Sequence, residues 1–409
     1  MQAKFFNTKA CANPCLSGRQ GSCLQGNKYF SPLITGMIIA VNTRMLLPNR
    51  MEGIGYFSFE TLRRMVEQHS EHQFLFLFDR PYAPEFIFGS NVIPVVAFPP
   101  ARHPLLWYWW FEISLPRILK RYRPSVFLSP DGYLPLHDPT PSLAVIHDIN
   151  FEHYPLDLPF AFRKYYTHYF PRFARKARRI ATVSEFSKKD ISVHYGISPE
   201  LIDVVYNGAS EKFHPIDEPA ATKIRQQLTD GNPYFLLVSS LHKRKNIVNL
   251  LKAFDQFKKS SGSPMRFVFA GSKRWWTPEM ETAYESMEYR QHVLFTGRVD
   301  DNHLADYTAA AFAAVYVSNF EGFGIPIVEA MQCRVPVITS NISAMPEIAG
   351  GAALLADPFS VTSIADAMTR LVKDEPLRKS LAEAGERRAM AFGWDKTAGL
   401  LWDSLMKTV

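Results

Sequence analysis

The stretch AAVYVSNFEGFGIPIVEAMQCRVPVITS, residues 313–340, decides how the whole chain is read. AAVYVS (313–318) and PVITS (336–340) are short apolar runs of strand type, separated by about the length of one crossover helix. The segment therefore reads strand, loop, helix, strand. Gly322 and Gly324 permit tight backbone conformations after the first strand, and Pro326 suits the first helical position, where its missing N–H is no loss. Glu321 then falls in a loop that cannot bury much, and Glu329 in the first turn of the helix. On their own, such residues are a solvated carboxylate and one that complements the helix dipole, worth ~0.3–1 kcal/mol. The glycine turn between them adds backbone N–H groups at a helix N-terminus, a ready site for a phosphate or sugar oxygen. A carboxylate beside that site accepts hydrogen bonds from the diol of a ribose or hexose. The stretch implies a sugar-nucleotide pocket.

The same rhythm runs outward in both directions. Strand candidates begin in MIIAVNTRML (37–46) and continue with FLFLFD (74–79), SVFLSP (125–130), LAVIHD (143–148), RIATVS (179–184) and IDVVYN (202–207), with amphipathic helix candidates between them. A polar, proline-bearing break, EKFHPIDEP (211–219), interrupts it. It restarts with YFLLVS (234–239), RFVFAG (266–271), VLFTG (293–297) and the two strands already quoted. The fold class is α/β, with two doubly wound domains expected over 37–213 and 214–391. The last stretch, 392–409, reads as a helix that need not belong to its nearest domain. In open parallel sheets, ligands bind beyond the carboxyl ends of the strands, so two such domains face each other across a cleft.

A chain of 409 residues, 47% hydrophobic, can fill two full-sized cores. Its formal net charge of +7 favours anionic partners without choosing among nucleotides, phospholipid headgroups and nucleic acid. Of four cysteines, Cys11, Cys15 and Cys23 lie within residues 1–36, leaving Cys333 in the body of the chain. That pattern argues against a disulfide framework and for a reducing, cytoplasmic compartment. Residues 1–36 are expected to be a disordered extension. Their C-x3-C-x7-C spacing lacks a fourth local ligand, so no metal is assigned there. No run approaches the ~20 apolar residues that span a bilayer, which leaves a soluble or peripheral protein.

With these residues in view, the chain resembles the retaining, GT-B-fold glycosyltransferases of family 4, the "glycosyl transferases group 1" set. The resemblance covers roughly 37–409 and rests on EGFGIPIVE, supported in order by GIGYF, IHD, TVSEFSKKD, VVYNGASEKFHP, SSLHKRKN and AMPEIAGGAALLADP. It implies two Rossmann-like domains and a nucleotide-diphosphate sugar as donor. It further implies that Glu329 grips the ribose hydroxyls and Glu321 contacts the donor hexose. Gly322, Phe323, Gly324 and Ile325 would line the donor, with backbone N–H groups of Phe323 and Gly324 on sugar hydroxyls. Arg244 and Lys245 would supply the cations a pyrophosphate requires. Many members carry a further arginine where this chain has Ser239 and Ser240, so phosphate binding would lean on fewer cations. The resemblance also places His147 near the donor's C6 hydroxyl, with Asp148 available to orient its imidazole. Gly53 and Gly55 would border the donor phosphates and the acceptor, and Arg298 and Val299 the base. Ser184 and Glu185 are read as fixing a loop rather than reacting.

The acceptor side is indicated by LLWYWWFEISLPRILKRYRP (105–124), aromatic and then basic, and by RKYYTHYFPRFARKARR (163–179), with seven basic residues and no acidic one. Both are ordinary core-facing helices on one reading. On the other they form a face for anionic lipid, with Trp109 and Trp110 as anchors, suited to a lipid-linked acceptor. The reaction expected is retaining hexosyl transfer to a glycan or lipid-linked acceptor through an oxocarbenium-like transition state. Glu321 is the best candidate should a nucleophile be needed. No Asp-x-Asp triplet occurs in the chain, so no metal cofactor is expected. Among rivals, a non-catalytic two-lobed sugar-binding protein would need neither Glu321 nor the cations. A dinucleotide oxidoreductase would need the G-x-G-x-x-G fingerprint, of which GIGYF holds only two glycines. Nucleic-acid binding has no recognised module behind it.

Overall fold

The computed structural model describes residues 36–48 and 51–409. The extension expected over 1–36, with Cys11, Cys15 and Cys23, lies outside the described residues apart from Gly36. Two parallel sheets organise the remainder. The first holds β1 (Ile38–Asn42), β2 (Gln73–Phe78), β3 (Val92–Val96), β4 (Val126–Ser129), β5 (Ser142–Val145), β6 (Arg179–Thr182) and β7 (Ile202–Val204), in the order β3-β2-β1-β4-β5-β6-β7. The second holds β8 (Tyr234–Val238), β9 (Arg266–Ala270), β10 (Val293–Gly297), β11 (Ala313–Tyr316), β12 (Val337–Ser340) and β13 (Leu354–Ala356), in the order β10-β9-β8-β11-β12-β13. Helices α1 (Gly53–Gln68), α2 (Pro104–Trp109), α3 (Leu115–Tyr122), α4 (Asn150–His153), α5 (Phe160–Lys176) and α6 (Glu185–Tyr195) lie in the first half. Helices α7 (Glu218–Thr229), α8 (Ile247–Ser261), α9 (Pro278–Glu285), α10 (Asp301–Ala309), α11 (Ile325–Gln332), α12 (Met345–Ala349), α13 (Val361–Lys373) and α14 (Glu375–Ala389) lie in the second, and α15 (Trp394–Met406) closes the chain.

The physical reason for this arrangement is visible in the strands themselves. A parallel sheet is covered on both faces, so its inner strands read as continuous apolar runs rather than alternating ones. Phe74, Leu75, Phe76 and Leu77 are all fully buried in β2, and Phe267, Val268 and Phe269 in β9. Each sheet reverses its winding once, between β1 and β4 in the first and between β8 and β11 in the second. At such a reversal the flanking connections leave on opposite faces, opening a crevice at the carboxyl ends. Two strands had no counterpart among the runs read from sequence, and both are sheet edges. β3 carries Pro94, which an edge strand tolerates because one side of its backbone needs no partner. β13 is three residues long with Leu355 exposed, too short and too wet to show a periodic signal.

The closing helix packs against the first sheet's core. Trp394, Ala398, Leu401 and Leu405 are buried in one cluster with Phe57, Val126 and Leu128. Ser404 Oγ donates to Asp203 at 2.7 Å, and the Trp402 indole stacks on His69. The chain thus crosses from the second sheet's layers back to the first, joining the two halves at their ends.

Candidate active site

The loop after β11 is shaped by its glycines. Gly324 has φ +98°, a left-handed conformation that turns the chain into α11. A Cβ on Gly322 would sit 2.6 Å from the His147 carbonyl oxygen and 2.8 Å from Asp148 Cβ. Only a glycine lets the second half's loop touch the strand exit that carries His147. Phe323 turns its ring into the second core, so its backbone is what it offers to a ligand. Ile325, not Pro326, is the first residue of α11, which moves Glu329 to the start of the second turn.

Glu321 is buried, contrary to the expectation of a loop that cannot bury much. Its Oε1 lies 2.6 Å from Lys245 Nζ and its Oε2 2.7 Å from Arg244. Both cations come from a single 3-10 turn, Lys243–Lys245, that follows β8, the strand beside β11 at the winding reversal. Lys245 Nζ also donates to the Tyr316 hydroxyl at 2.5 Å, and Arg244 to the Phe320 carbonyl at 2.6 Å. Burial alone would raise the Glu321 pKa, but the two cations overcome it and hold the carboxyl down at about 2. Burial lowers the Lys245 ammonium to about 8 despite Glu321, with Arg244 pushing the same way. Arg244 is also opposed by burial, yet Glu321 and Asp148 keep it firmly charged. Two cations thus face the buried Glu321 carboxylate, with Asp148 a second carboxylate close enough to act on both. In this arrangement Arg244 and Lys245 are engaged first by Glu321.

Glu329 is half-buried and its carboxylate has no hydrogen-bond or ion-pair partner among the described residues. Burial, with Asp301 nearby, pushes its pKa up to about 8. Asp301 accepts a hydrogen bond from the Tyr56 hydroxyl at 2.6 Å, and that phenol is raised by burial and then by Asp301. Arg298 and Glu329 both lie close enough to shift Tyr56 electrostatically. Gly53 and Gly55 are the first and third residues of α1, three residues or fewer from Tyr56. The N-cap, Glu52, makes no side-chain cap, and among the described residues no side chain accepts from the first N–H groups of α1. A Cβ on Gly55 would meet the Met45 carbonyl oxygen at 2.9 Å, whereas one on Gly53 meets open space. Arg298 is exposed and Val299 half-buried, in the loop between β10 and α10.

His147 Nε2 lies 2.9 Å from the Pro130 carbonyl oxygen. A carbonyl only accepts, so the proton sits on Nε2 and Nδ1 carries the lone pair. Burial lowers the His147 pKa, and its ring packs edge-on against Phe57 of α1 at 4.9 Å. Asp148 does not orient it by a hydrogen bond: its carboxylate accepts from Asn150 N at 3.0 Å and Asn150 Nδ2 at 2.7 Å.

Family models match both halves of the chain: Glycosyltransferase Family 4 over residues 51–212 and Glycosyl transferases group 1 over 220–388. The chain belongs to the family 4 glycosyltransferases. The O-antigen chain mannosyltransferase B of Escherichia coli is 28% identical over 282 residues, 68% of this chain and 73% of that protein. Among solved structures, a sucrose-phosphate synthase from Thermosynechococcus elongatus superposes with TM-score 0.73 at 18% identity, over 91% of this chain and 100% of that one. Anabaena Alr3699/HepE in complex with UDP and glucose gives TM-score 0.71 at 17% identity, over 91% and 100%. At those identities the structures establish the GT-B fold.

Two features of this glycosyltransferase escaped the sequence. The first is Glu347 of α12, whose carboxylate accepts from the backbone N of Glu185 at 2.8 Å and of Phe186 at 2.9 Å, and from the Tyr206 hydroxyl at 2.9 Å. It caps α6 from the other half of the molecule. Ser184, the N-cap of α6, donates in turn to the Gly322 carbonyl at 2.7 Å, which gives Ser184 and Glu185 the loop-fixing geometry expected of them. The signal was present in AMPEIAGG, but nothing local says what a lone glutamate will cap. The second is Arg44, buried after β1 with its guanidinium 2.5 Å from Asp131 and 4.0 Å from the Tyr133 ring centre. It occupies the first sheet's winding reversal.

The aromatic and basic stretch divides. Trp110 is fully buried and donates to the Ala97 carbonyl, so it is a core residue and not a lipid anchor. Trp107 is likewise buried, on the Ala101 carbonyl. Leu105, Tyr108, Trp109 and Phe160 are exposed. Leu105, Tyr108, Lys164 and His168 border an open groove of about 660 Å³ between α2 and α5. Among the described residues, no helix is long and apolar enough to cross a membrane.

Proposed function

We propose that this glycosyltransferase moves a hexose, with mannose the first candidate, from a UDP- or GDP-sugar to a glycan or lipid-linked acceptor with retention of configuration. The observation that carries the reading is the buried Glu321 between Lys245 and Arg244, held against the His147 strand exit by Gly322. Mannose is favoured by the mannosyltransferase activity of the Escherichia coli relative, and a uridine diphosphate by the ligand of the Anabaena neighbour. A diphosphate leaving group would sit against the cations Arg244 and Lys245 and the N–H groups at the starts of α1 and α11. Glu329 would take the ribose diol, with Arg298 and Val299 toward the base and Gly322, Phe323, Gly324 and Ile325 along the sugar. The neutral His147 Nδ1 would accept a hydrogen bond from a hexose hydroxyl. Fixed protein cations take the part a metal would play, so no metal cofactor is needed. The exposed Trp109 and Tyr108 with Lys164 would rest on an anionic membrane surface and bring a lipid-linked acceptor to the cleft.

The test is binding and turnover with a panel of UDP-, GDP- and ADP-sugars, read first by thermal shift, since a tight ligand stabilises by mass action. One nucleotide sugar should stabilise the chain and be hydrolysed or transferred, with the anomeric configuration of the product retained. Glu321→Gln should leave nucleotide affinity in place and lower turnover. Failure of every nucleotide sugar to bind would remove the reading.

A further inference from the structure

His153 ends α4, and Asp190 and His194 stand four residues apart on α6, which places both on one helix face. His153 Nε2 lies 2.9 Å and 3.0 Å from the two Asp190 carboxylate oxygens, and one donor atom from each of the three side chains falls within 4.8 Å of the others. Nothing in the hexosyl-transfer reading uses these residues. We propose that they form a binding site for one divalent transition-metal ion of the zinc class.

The donor set argues for that class. Two imidazoles and one carboxylate suit zinc, nickel or copper, whereas magnesium and calcium favour oxygen cages. Three protein ligands and one water complete a tetrahedron. Ligand bonds of about 2 Å in that geometry separate the donor atoms by roughly 3.3 Å. The His153–Asp190 pair, at 2.9–3.0 Å, needs only a small opening to reach that spacing, and the exposed His194 ring is free to close the remaining gap by rotation. Without an ion, the pair is a partly exposed contact worth less than ~1 kcal/mol, and it gives His194 nothing to do. Glu152, held by the Tyr195 hydroxyl at 3.0 Å, adds negative charge one residue from His153.

The consequence is mechanical. α4 begins three residues after His147, the His153 ring lies 4.9 Å from Phe320, next to Glu321, and the far end of α6 carries the Glu347 cap. An ion would fasten α4 to α6 and steady the segment that meets the donor loop. It would not touch the reacting groups, so this inference stands or falls separately from the donor assignment.

The test uses the full chain with Cys11, Cys15 and Cys23 replaced by serine, which removes thiols that would compete for zinc. Chelator-stripped protein is titrated with Zn²⁺, and separately with Mg²⁺, by calorimetry, thermal melting and X-ray absorption. Expected are one Zn²⁺ per chain, only nitrogen and oxygen ligands, a raised melting temperature and no response to Mg²⁺. His194→Gln, which keeps the His153–Asp190 pair, should weaken zinc binding at least tenfold, and the His153→Ala, His194→Ala double variant should abolish it and its thermal shift. No zinc binding, sulfur ligation, or unchanged binding in the folded His194→Gln protein would overturn the proposal.

Discussion

Glu329 should be a group that costs the empty enzyme stability and contributes to donor binding. Its folded pKa of about 8 stands against an ordinary 4.5, so between those values the folded chain holds a proton that the unfolded chain releases. A raised folded pKa means the associated stability is complete below 4.5, declines as pH rises, and is lost by about 8. At about 1.4 kcal/mol per pH unit, the decline from pH 5 to pH 7 is roughly 2 kcal/mol, allowing for the group's partial exposure. Glu329→Gln cannot ionise, so its advantage over the parent should widen by that amount across the interval. For domains of this size, that corresponds to about 4–8 °C in melting temperature. Scanning calorimetry of both proteins at pH 5, 6, 7 and 8 reads the effect. If a ribose diol binds the carboxylate, nucleotide binding at pH 7 should release a proton, seen in calorimetry as a dependence on buffer ionisation enthalpy. Glu329→Gln should abolish that release and weaken binding by ~1.5–3 kcal/mol, the range for hydrogen bonds to a charge. A melting-temperature gap that stays constant from pH 5 to 8, with no proton release, would refute both the burial argument and the ribose role.

Other perturbations follow from the same geometry. Lys245→Ala should lower turnover by ~10²–10³-fold, as the loss of one preorganised charge does, while activity of the parent persists in excess EDTA; abolition by EDTA with rescue by Mg²⁺ or Mn²⁺ would refute the metal-free mechanism. Because the Lys245 ammonium titrates at about 8, turnover with bound donor should fall as pH rises past that value, and a flat profile to pH 10 would remove its charge from the chemistry. Glu347→Ala should reduce kcat with little change in nucleotide affinity, since it frees α6 without touching the donor; Glu347→Asp should restore part of it, and a normal kcat in the Ala variant would make the cap merely structural. Trp109→Ser should reduce binding to phosphatidylglycerol vesicles without lowering the melting temperature, whereas Trp110→Ser should destabilise the fold; equal vesicle binding by Trp109→Ser would place the membrane contact elsewhere.

Local chemistry was enough to announce the two parallel sheets, because strands covered on both faces must be apolar throughout, and runs such as FLFLFD and YFLLVS have no other stable use. It was also enough to place Glu321, Arg244, Lys245 and His147 beyond strand ends, since each lies in the segment that follows such a run. Side-chain partners were not legible. Whether Glu321 is solvated or buried depends on β8 and β11 being neighbours, a pairing of residues more than seventy positions apart. The same holds for Trp109 and Trp110: adjacent and identical, they differ only because the Ala97 carbonyl waits on one side of the helix and solvent on the other. Glu347 capping α6 joins residues about 160 positions apart, and the His153, Asp190 and His194 cluster joins two helices. Short-range periodicity reports which face of an element is buried. What lies across that face is settled only when the sheets wind and the halves meet, because hydrogen bonds and ion pairs depend on distances that sequence separation does not encode.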